Sequence, residues 1–370
     1  EYFRFMRHCL DEQGGGHIKI FGGGGGTITP QEIAQLESEG ITKIYHPNDG
    51  MTLGLEGMID DLIARAQQDR MAPIQRLEVT KDSEIAVAQM ISLIEEGKID
   101  GSDSSGPHQA WMSKSTQTPV LGITGTGGAG KSSTVDEFLR RFLHQRPDMR
   151  IAVLAVDPTR RRTGGALLGD RIRMNSLISS NIYMRSIATR RQHVSTSQVL
   201  GDITLFLKSL DYDLILVETA GIGQSDSAIV DFVDFSIYIM TGDYGAASQL
   251  EKIDMIDYAD IIILNKYDYR GTEDALRDVR KQWQRNRNAF HVESIPVYPT
   301  IASQFNDPGI NRAFYELCRL LVEKNHLDSA TWIGPPPSEI STDDPKKAVL
   351  IPAHRSRYLA EISEQGRAIK

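Results

Sequence analysis

Only two cysteines occur in 370 residues, Cys9 and Cys318, and neither lies in a Cys-x-x-Cys pair or a Cys/His cluster. A disulfide framework and a zinc site are therefore not expected, and both read as structural thiols. Positive charge is also short: 41 Lys and Arg stand against 49 Asp and Glu, for a formal net charge of −8. That balance argues against nucleic acid or an anionic membrane as the main partner. No apolar run approaches the roughly 20 residues that cross a bilayer, and no charged-then-apolar signal segment opens the chain. The expected compartment is the cytoplasm. The first residue is Glu1 rather than methionine, with little ahead of the first recognisable strand, which suggests an excised or incomplete chain.

What is present is a phosphate-binding pattern. Gly125-Thr126-Gly127-Gly128-Ala129-Gly130-Lys131-Ser132 spells Gly-x4-Gly-Lys-Ser, preceded by an apolar run at 119–124. It is followed by Val135, Phe138, Leu139, Phe142 and Leu143, which recur at the spacing of one helix face. In that strand–loop–helix frame the backbone amides of Gly125, Gly127, Gly128, Ala129 and Gly130 turn toward phosphates. Lys131 reaches the β and γ oxygens, and the Ser132 hydroxyl, with Ser133 beside it, suits Mg²⁺.

Three further strand ends carry chemistry. Asn265-Lys266-Tyr267-Asp268 follows the apolar run 261–264 and matches the Asn-Lys-x-Asp guanine-recognition motif. The Asp268 carboxylate can accept from both the ring N1–H and the exocyclic amine of guanine, a donor pair that adenine lacks. Val217-Glu218-Thr219-Ala220-Gly221 sits where an Asp-x-x-Gly element would sense a γ-phosphate, with Glu218 in place of Asp and the Gly221 amide within reach. Asp157-Pro158-Thr159 ends another strand and leads to Asp170 and Arg173, the latter a candidate phosphate contact. Asp157, Asp170 and Glu218 are hard donors for Mg²⁺, which takes only one or two protein carboxylates, so not all three need bind at once. The Arg160-Arg161-Arg162 run reads as a solvated loop face.

The organisation is α/β. Residues 17–66 read as two βα units: a strand at 17–21, the glycines Gly22 to Gly26, a helix at 30–39, a strand at 41–45 and a helix from about Thr52. Two such units are the closing portion of a larger doubly wound domain rather than a domain. A helix at 83–96 gives way to Gly101-Ser102-Asp103-Ser104-Ser105-Gly106-Pro107, a linker composition. From 118 to about 327 strands and helices alternate, with strands expected at 119–124, 151–156, 182–186, 214–218, 235–240, 261–264 and 295–298. The alternation predicts a mostly parallel doubly wound sheet. The expected domains are 1–70, a helical segment and linker at 71–117, a nucleotide-binding domain at 118–330, and a linker at 331–370.

Together these residues resemble the G-protein chaperones of adenosylcobalamin-dependent acyl-CoA mutases, the family of the methylmalonyl-CoA mutase accessory GTPases, over roughly 118–327. The resemblance rests on Asp157-Pro158, Thr163-Gly164-Gly165, Leu168-Gly169-Asp170-Arg171-Ile172-Arg173-Met174 and the run 218–225. It implies a P-loop GTPase that uses GTP/GDP and holds Mg²⁺ through Ser132, Asp157, Asp170, Glu218 and Thr219. It also implies a homodimer, and an additional switch at 242–252 whose Gln249 and Lys252 join Lys131 in catalysis. Relatives carry a Gly-Asp-Glu-Leu-Gln-type run where this chain has Gly242-Asp243-Tyr244-Gly245-Ala246.

The segments at 17–27 and 44–50 look like the last units of a flavodoxin-like cobalamin-binding domain, where glycines let backbone approach a flat heterocycle. That order resembles the fused isobutyryl-CoA mutases, and 351–358 looks like their connector to a substrate-binding barrel. Adenosylcobalamin would then be the cofactor of a longer parent, and the acyl-CoA mutase domain of the same polypeptide its partner. The family's Asp-x-His-x-x-Gly cobalt ligand does not occur in these residues, so this chain alone is not expected to isomerise an acyl-CoA. The expected activity is GTP hydrolysis coupled to cofactor loading or release. A metal-insertion GTPase, a small-molecule kinase of the same P-loop class and a non-enzymatic scaffold are the alternatives.

Overall fold

Apolar runs broken by Gly, Pro and Asp become a seven-stranded sheet in the computed structural model, with every neighbouring pair parallel. The structure describes residues 1–23, 25–68, 79–99, 107–114, 117–158, 174–189, 193–219, 226–244, 250–251, 253–292, 294–325, 327–334 and 367. They fall into two compact units, Glu1–Leu77 and Glu78–Lys370.

In the first unit, α1 (Tyr2–Glu12), β1 (Phe21–Gly23), α2 (Pro30–Ser38), β2 (Lys43–Tyr45) and α3 (Pro47–Gln67) surround a small core of Ile20, Ile33, Leu36, Ile41 and Ile44. Both later helices open on a proline with a reciprocal cap, Thr29 with Glu32 and His46 with Asp49. The α3 helix therefore starts earlier than the expected Thr52, and Gly54 at φ +67 breaks it. α1 was not expected; Phe3, Met6 and Leu10 place its apolar side on the core. The expected strand at 17–21 lies instead at β1, inside the glycine run. A Cβ at Gly22 would meet the Phe3 ring, so that glycine answers to helix packing.

In the second unit, α4 (Glu84–Glu95) and α5 (Pro107–Lys114) precede β3 (Val120–Gly125), α6 (Lys131–Gln145), β4 (Ile151–Pro158), β5 (Ile182–Thr189), α7 (His193–Lys208) and β6 (Leu214–Thr219). Then come β7 (Phe235–Thr241), α8 (Met255–Tyr258), β8 (Ile261–Asn265), α9 (Thr272–Asn286), β9 (Val297–Pro299), α10 (Pro308–Asn325) and α11 (Ser329–Trp332). The strand order is β5-β4-β6-β3-β7-β8-β9. Residues of one strand alternate between two cores: Ala152, Leu154 and Val156 pack with α4, α7 and α9, while Ile151, Val153 and Ala155 pack with α6 and α10. Both faces are covered, as an all-parallel sheet requires.

All seven expected strands of this sheet appear, but its outline differs from expectation. The segment set apart at 71–117 belongs from residue 78 onward to the same unit as the sheet. Val87, Ile91 and Ile94 are buried in its core, the Trp111 and Phe206 rings pack tilted with centroids 5.2 Å apart, and Arg185 on β5 donates to Glu95 at 2.7 Å. At the other end Trp332, expected in the linker, packs 6.3 Å from Phe142. The expected linker glycines at 101–106 and the tail at 335–366 lie outside the described residues.

One device recurs at the amino-terminal edge of the sheet. Asp213, Asp234 and Asp260 each stand just before a strand, and each carboxylate accepts from a backbone amide at the start of a neighbouring strand. The donors are Arg150 at 2.8 Å, Val120 at 2.8 Å and Ser236 at 2.9 Å. Each aspartate also returns its own N–H to the carbonyl of that same residue at 2.9 Å. Each faces a cation as well: Arg146 at 2.9 Å, Lys208 at 3.6 Å and Lys324 at 2.6 Å. These carboxylates align the registers of the central strands.

Removing the Asp234 acceptor leaves the first amide of the central strand β3 unmatched. Asp234→Ala should therefore cost about 1–3 kcal/mol and Asp234→Asn clearly less; equal losses in urea titration would refute the amide as the cause.

Asp307 opens α10, its Oδ2 accepting from the Ile310 amide at 2.8 Å. It is fully buried, and burial pushes its carboxyl above the usual range against the pull of backbone amides and Arg141. The folded state thus binds this proton more tightly than the unfolded state. Its stabilising effect is complete below about pH 4 and lost as pH rises through the raised value. The stability of Asp307→Asn relative to wild type should rise between pH 4 and 7; a flat difference in thermal midpoints would contradict this.

Candidate functional site

The phosphate-loop pattern occupies the carboxyl end of the central strand β3 and the first turn of α6. Its glycines divide into two kinds. Gly125, at φ +149, would drive a Cβ into the backbone of Ile239 on β7, and Gly130, at φ +90, would drive one into the amide of Asn265. Both are demanded by close packing. Gly127 and Gly128 have nothing within 4 Å and face open space, which leaves their amides accessible to a ligand. Ala129 is fully buried behind them.

Lys131 donates to the carbonyls of Gly125 and Thr126 at 3.0 and 3.1 Å, folding its ammonium against the loop. Ser132 donates to Glu218 Oε1 at 2.9 Å. Glu218, the penultimate residue of β6, lies opposite Ile123 of β3 and Ala155 of β4, and only 5% of it is exposed. Next to it, the buried Thr219 hydroxyl makes no hydrogen bond among the described residues. The Ser132 hydroxyl and the Glu218 carboxylate are hard oxygen donors of the kind that Mg²⁺ prefers, and the unmatched Thr219 oxygen beside Glu218 in sequence is a third of that kind. Ser133 is exposed on the same turn.

The Asp157 backbone lies in β4 in register with Ala188 of β5. Its side chain, together with Asp170, Arg173, Gly221, Gln249 and Lys252, lies outside the described residues.

The guanine-type motif closes the far side. Asn265 ends β8 and is 3% exposed. Its Nδ2 donates to the Ala129 carbonyl at 2.7 Å, while its Oδ1 accepts from Thr300 Oγ1 at 3.1 Å and from the Ala302 amide at 3.0 Å. One amide thus joins the phosphate loop, β8 and the chain after β9. Lys266 holds φ +59, the Tyr267 amide donates to Thr300 O at 3.0 Å, and Asp268 is half-buried.

Thr300 and Ala302 were missed by the sequence reading. The available signal was Thr300-Ile301-Ala302-Ser303, small residues at the end of the last strand of the sheet, where an open α/β sheet presents its ligand-binding loops.

With this geometry in view, a family model described as "Methylmalonyl Co-A mutase-associated GTPase MeaB" matches residues 87–314. Fused isobutyryl-CoA mutase of Cupriavidus metallidurans is 48% identical over 373 residues, covering 100% of this chain and 34% of its own length. The proteins of that description from Geobacillus kaustophilus and Nocardia farcinica are 45% and 44% identical, over 100% and 98% of this chain and 34% of their own lengths. The chain spans about a third of the length of these relatives.

Asn265→Ala strands three polar groups inside the protein at once. We expect a loss of about 1–3 kcal/mol even without nucleotide, with GDP affinity falling at least tenfold; an unchanged melting temperature would show that the amide does not hold the loop.

Proposed function

Since the chain belongs to the methylmalonyl-CoA mutase-associated GTPase family, we propose that it binds GTP across the carboxyl ends of β3, β6 and β8 and hydrolyses it in the service of an acyl-CoA mutase. The observation that carries the reading is the Asn265 amide. It binds the loop built for phosphates to the turn built for guanine, so that one ligand engaging both is held between parts already fixed to each other. Family membership favours this reading over the metal-insertion and kinase alternatives.

In this reading the amides around Gly127 and Gly128, with Lys131, bind the phosphate chain and concentrate positive charge where the leaving phosphate becomes more negative. Asp268 accepts from the guanine edge, and Lys266 lies against the base. Ser132, Glu218 and Thr219, with Asp157 and Asp170, would hold Mg²⁺, which when bound supplies charge neutralisation at the phosphates. Arg173 and the Gly221 amide contact phosphate, Ser133 adds a donor, and Gln249 and Lys252 orient the attacking water.

The mutase connection extends beyond this chain. We infer that the first unit is the closing part of a cobalamin-binding domain. Gly23 and Gly25 leave open space beside β1, as a flat heterocycle would need, although Gly22 is explained by Phe3. Adenosylcobalamin would require the remainder of that domain, and GTP hydrolysis would bias switch loops that gate its loading or release. The partner is then the mutase domain of the same polypeptide, in a cytoplasmic homodimer. Among the described residues no helix is long and apolar enough to cross a membrane.

Lys131→Ala should cut phosphate release from GTP by at least about 100-fold while leaving the far-UV spectrum and urea midpoint intact. Turnover at the wild-type rate would overturn the assignment.

A further inference from the structure

The guanine-type turn contains a strained residue and an aromatic beside it. Lys266 holds φ +59, a left-handed conformation that a non-glycine residue enters only at an energetic cost. Three contacts hold it there. The Tyr269 amide donates to the Lys266 carbonyl at 3.0 Å, closing the turn. The Thr272 hydroxyl is shared between the carbonyls of Tyr267 and Tyr269, at 2.7 and 2.8 Å, pinning the turn to the start of α9. The Lys266 ammonium stands 5.8 Å from the centre of the Tyr269 ring, within cation–π range.

Tyr269 is 57% exposed, so burial does not explain its ring. Its contact with Lys266 has a chemical consequence. With the ammonium held at the ring, the four methylenes of Lys266 form an apolar strip in the same turn as Asp268, two residues on. A flat aromatic ligand with a polar edge needs that combination: a surface for its face and an acceptor for its edge.

We propose that Tyr269 is a positioning residue for the nucleotide base, acting through Lys266 rather than by touching the reacting phosphates. This rests on the reading that GTP is bound at the Asn265–Asp268 turn. Because the strip meets the face of a purine and not its edge, Tyr269 raises affinity without choosing among purines; the choice falls to Asp268.

The test uses the whole chain with GDP, IDP and ADP in equilibrium titrations, together with steady-state GTP hydrolysis. Tyr269→Ala should weaken GDP and IDP equally, by about two- to fivefold. The Michaelis constant for GTP should rise by that factor with kcat unchanged, and the nucleotide-free melting temperature should stay within about a degree. Tyr269→Phe, which keeps the ring, should restore wild-type binding, and Tyr269→Leu should not. Wild-type affinity in Tyr269→Ala or Tyr269→Leu, loss in Tyr269→Phe, an unequal effect on GDP and IDP, or a fall in kcat would each overturn the proposal. Failure of the wild type itself to prefer GDP over ADP would instead overturn the guanine reading on which it rests.

Discussion

The arrangement at the carboxyl end of the sheet depends on the side-chain amide of Asn265. It is buried, uncharged, and engaged at both ends, donating to Ala129 and accepting from Thr300 and Ala302. In a low-dielectric interior such bonds are stronger than in water, and breaking one leaves a partner that water cannot reach. The amide approaches so closely that residue 130 can carry no Cβ. A glycine conventionally read as a phosphate contact is therefore required by a residue 135 positions away in sequence, and the spacing between this loop and the turn at 265–268 is a property of the core.

The two ends of the sheet are built to different rules. At the amino-terminal edge, Asp213, Asp234 and Asp260 couple neighbouring strands through matched amides and cations. At the carboxyl edge, Gly125, Gly130 and Lys266 depart from ordinary backbone geometry. The two glycines adopt this without penalty, whereas the strain of about a kilocalorie at Lys266 persists only where the surroundings over-determine it. The register locks at one edge help hold the strands whose other ends carry the unusual conformations.

The strands were legible because a parallel sheet covered on both faces needs near-continuous apolar runs, and 151–156, 214–218 and 261–264 are such runs. The phosphate and guanine motifs were legible because their chemistry is confined to a few consecutive residues. What escaped depends on partners distant in sequence. Asn265 meets Ala129 across 136 positions and Asp234 meets Val120 across 114, so neither leaves a local pattern. The helix α5 was hidden by its polar composition; Trp111 meeting Phe206 ties it to the core. α1 carried a readable spacing at Phe3, Met6 and Leu10, obscured by the arginines and histidine between them.

Glu218 shows how a departure from a motif can be physical rather than neutral. In register it stands beside Ile123, short of the loop that begins at Gly125, so its carboxylate must reach forward to meet the first turn of α6. It does so, accepting from Ser132 at 2.9 Å while remaining almost fully buried. An aspartate on the same backbone would be one methylene shorter. The longer side chain thus brings β6 to the Ser132 hydroxyl, and it ties β6 to α6 across the site. The loop at 125–132 is consequently held from two sides: by a neutral amide from β8 and by a carboxylate from β6.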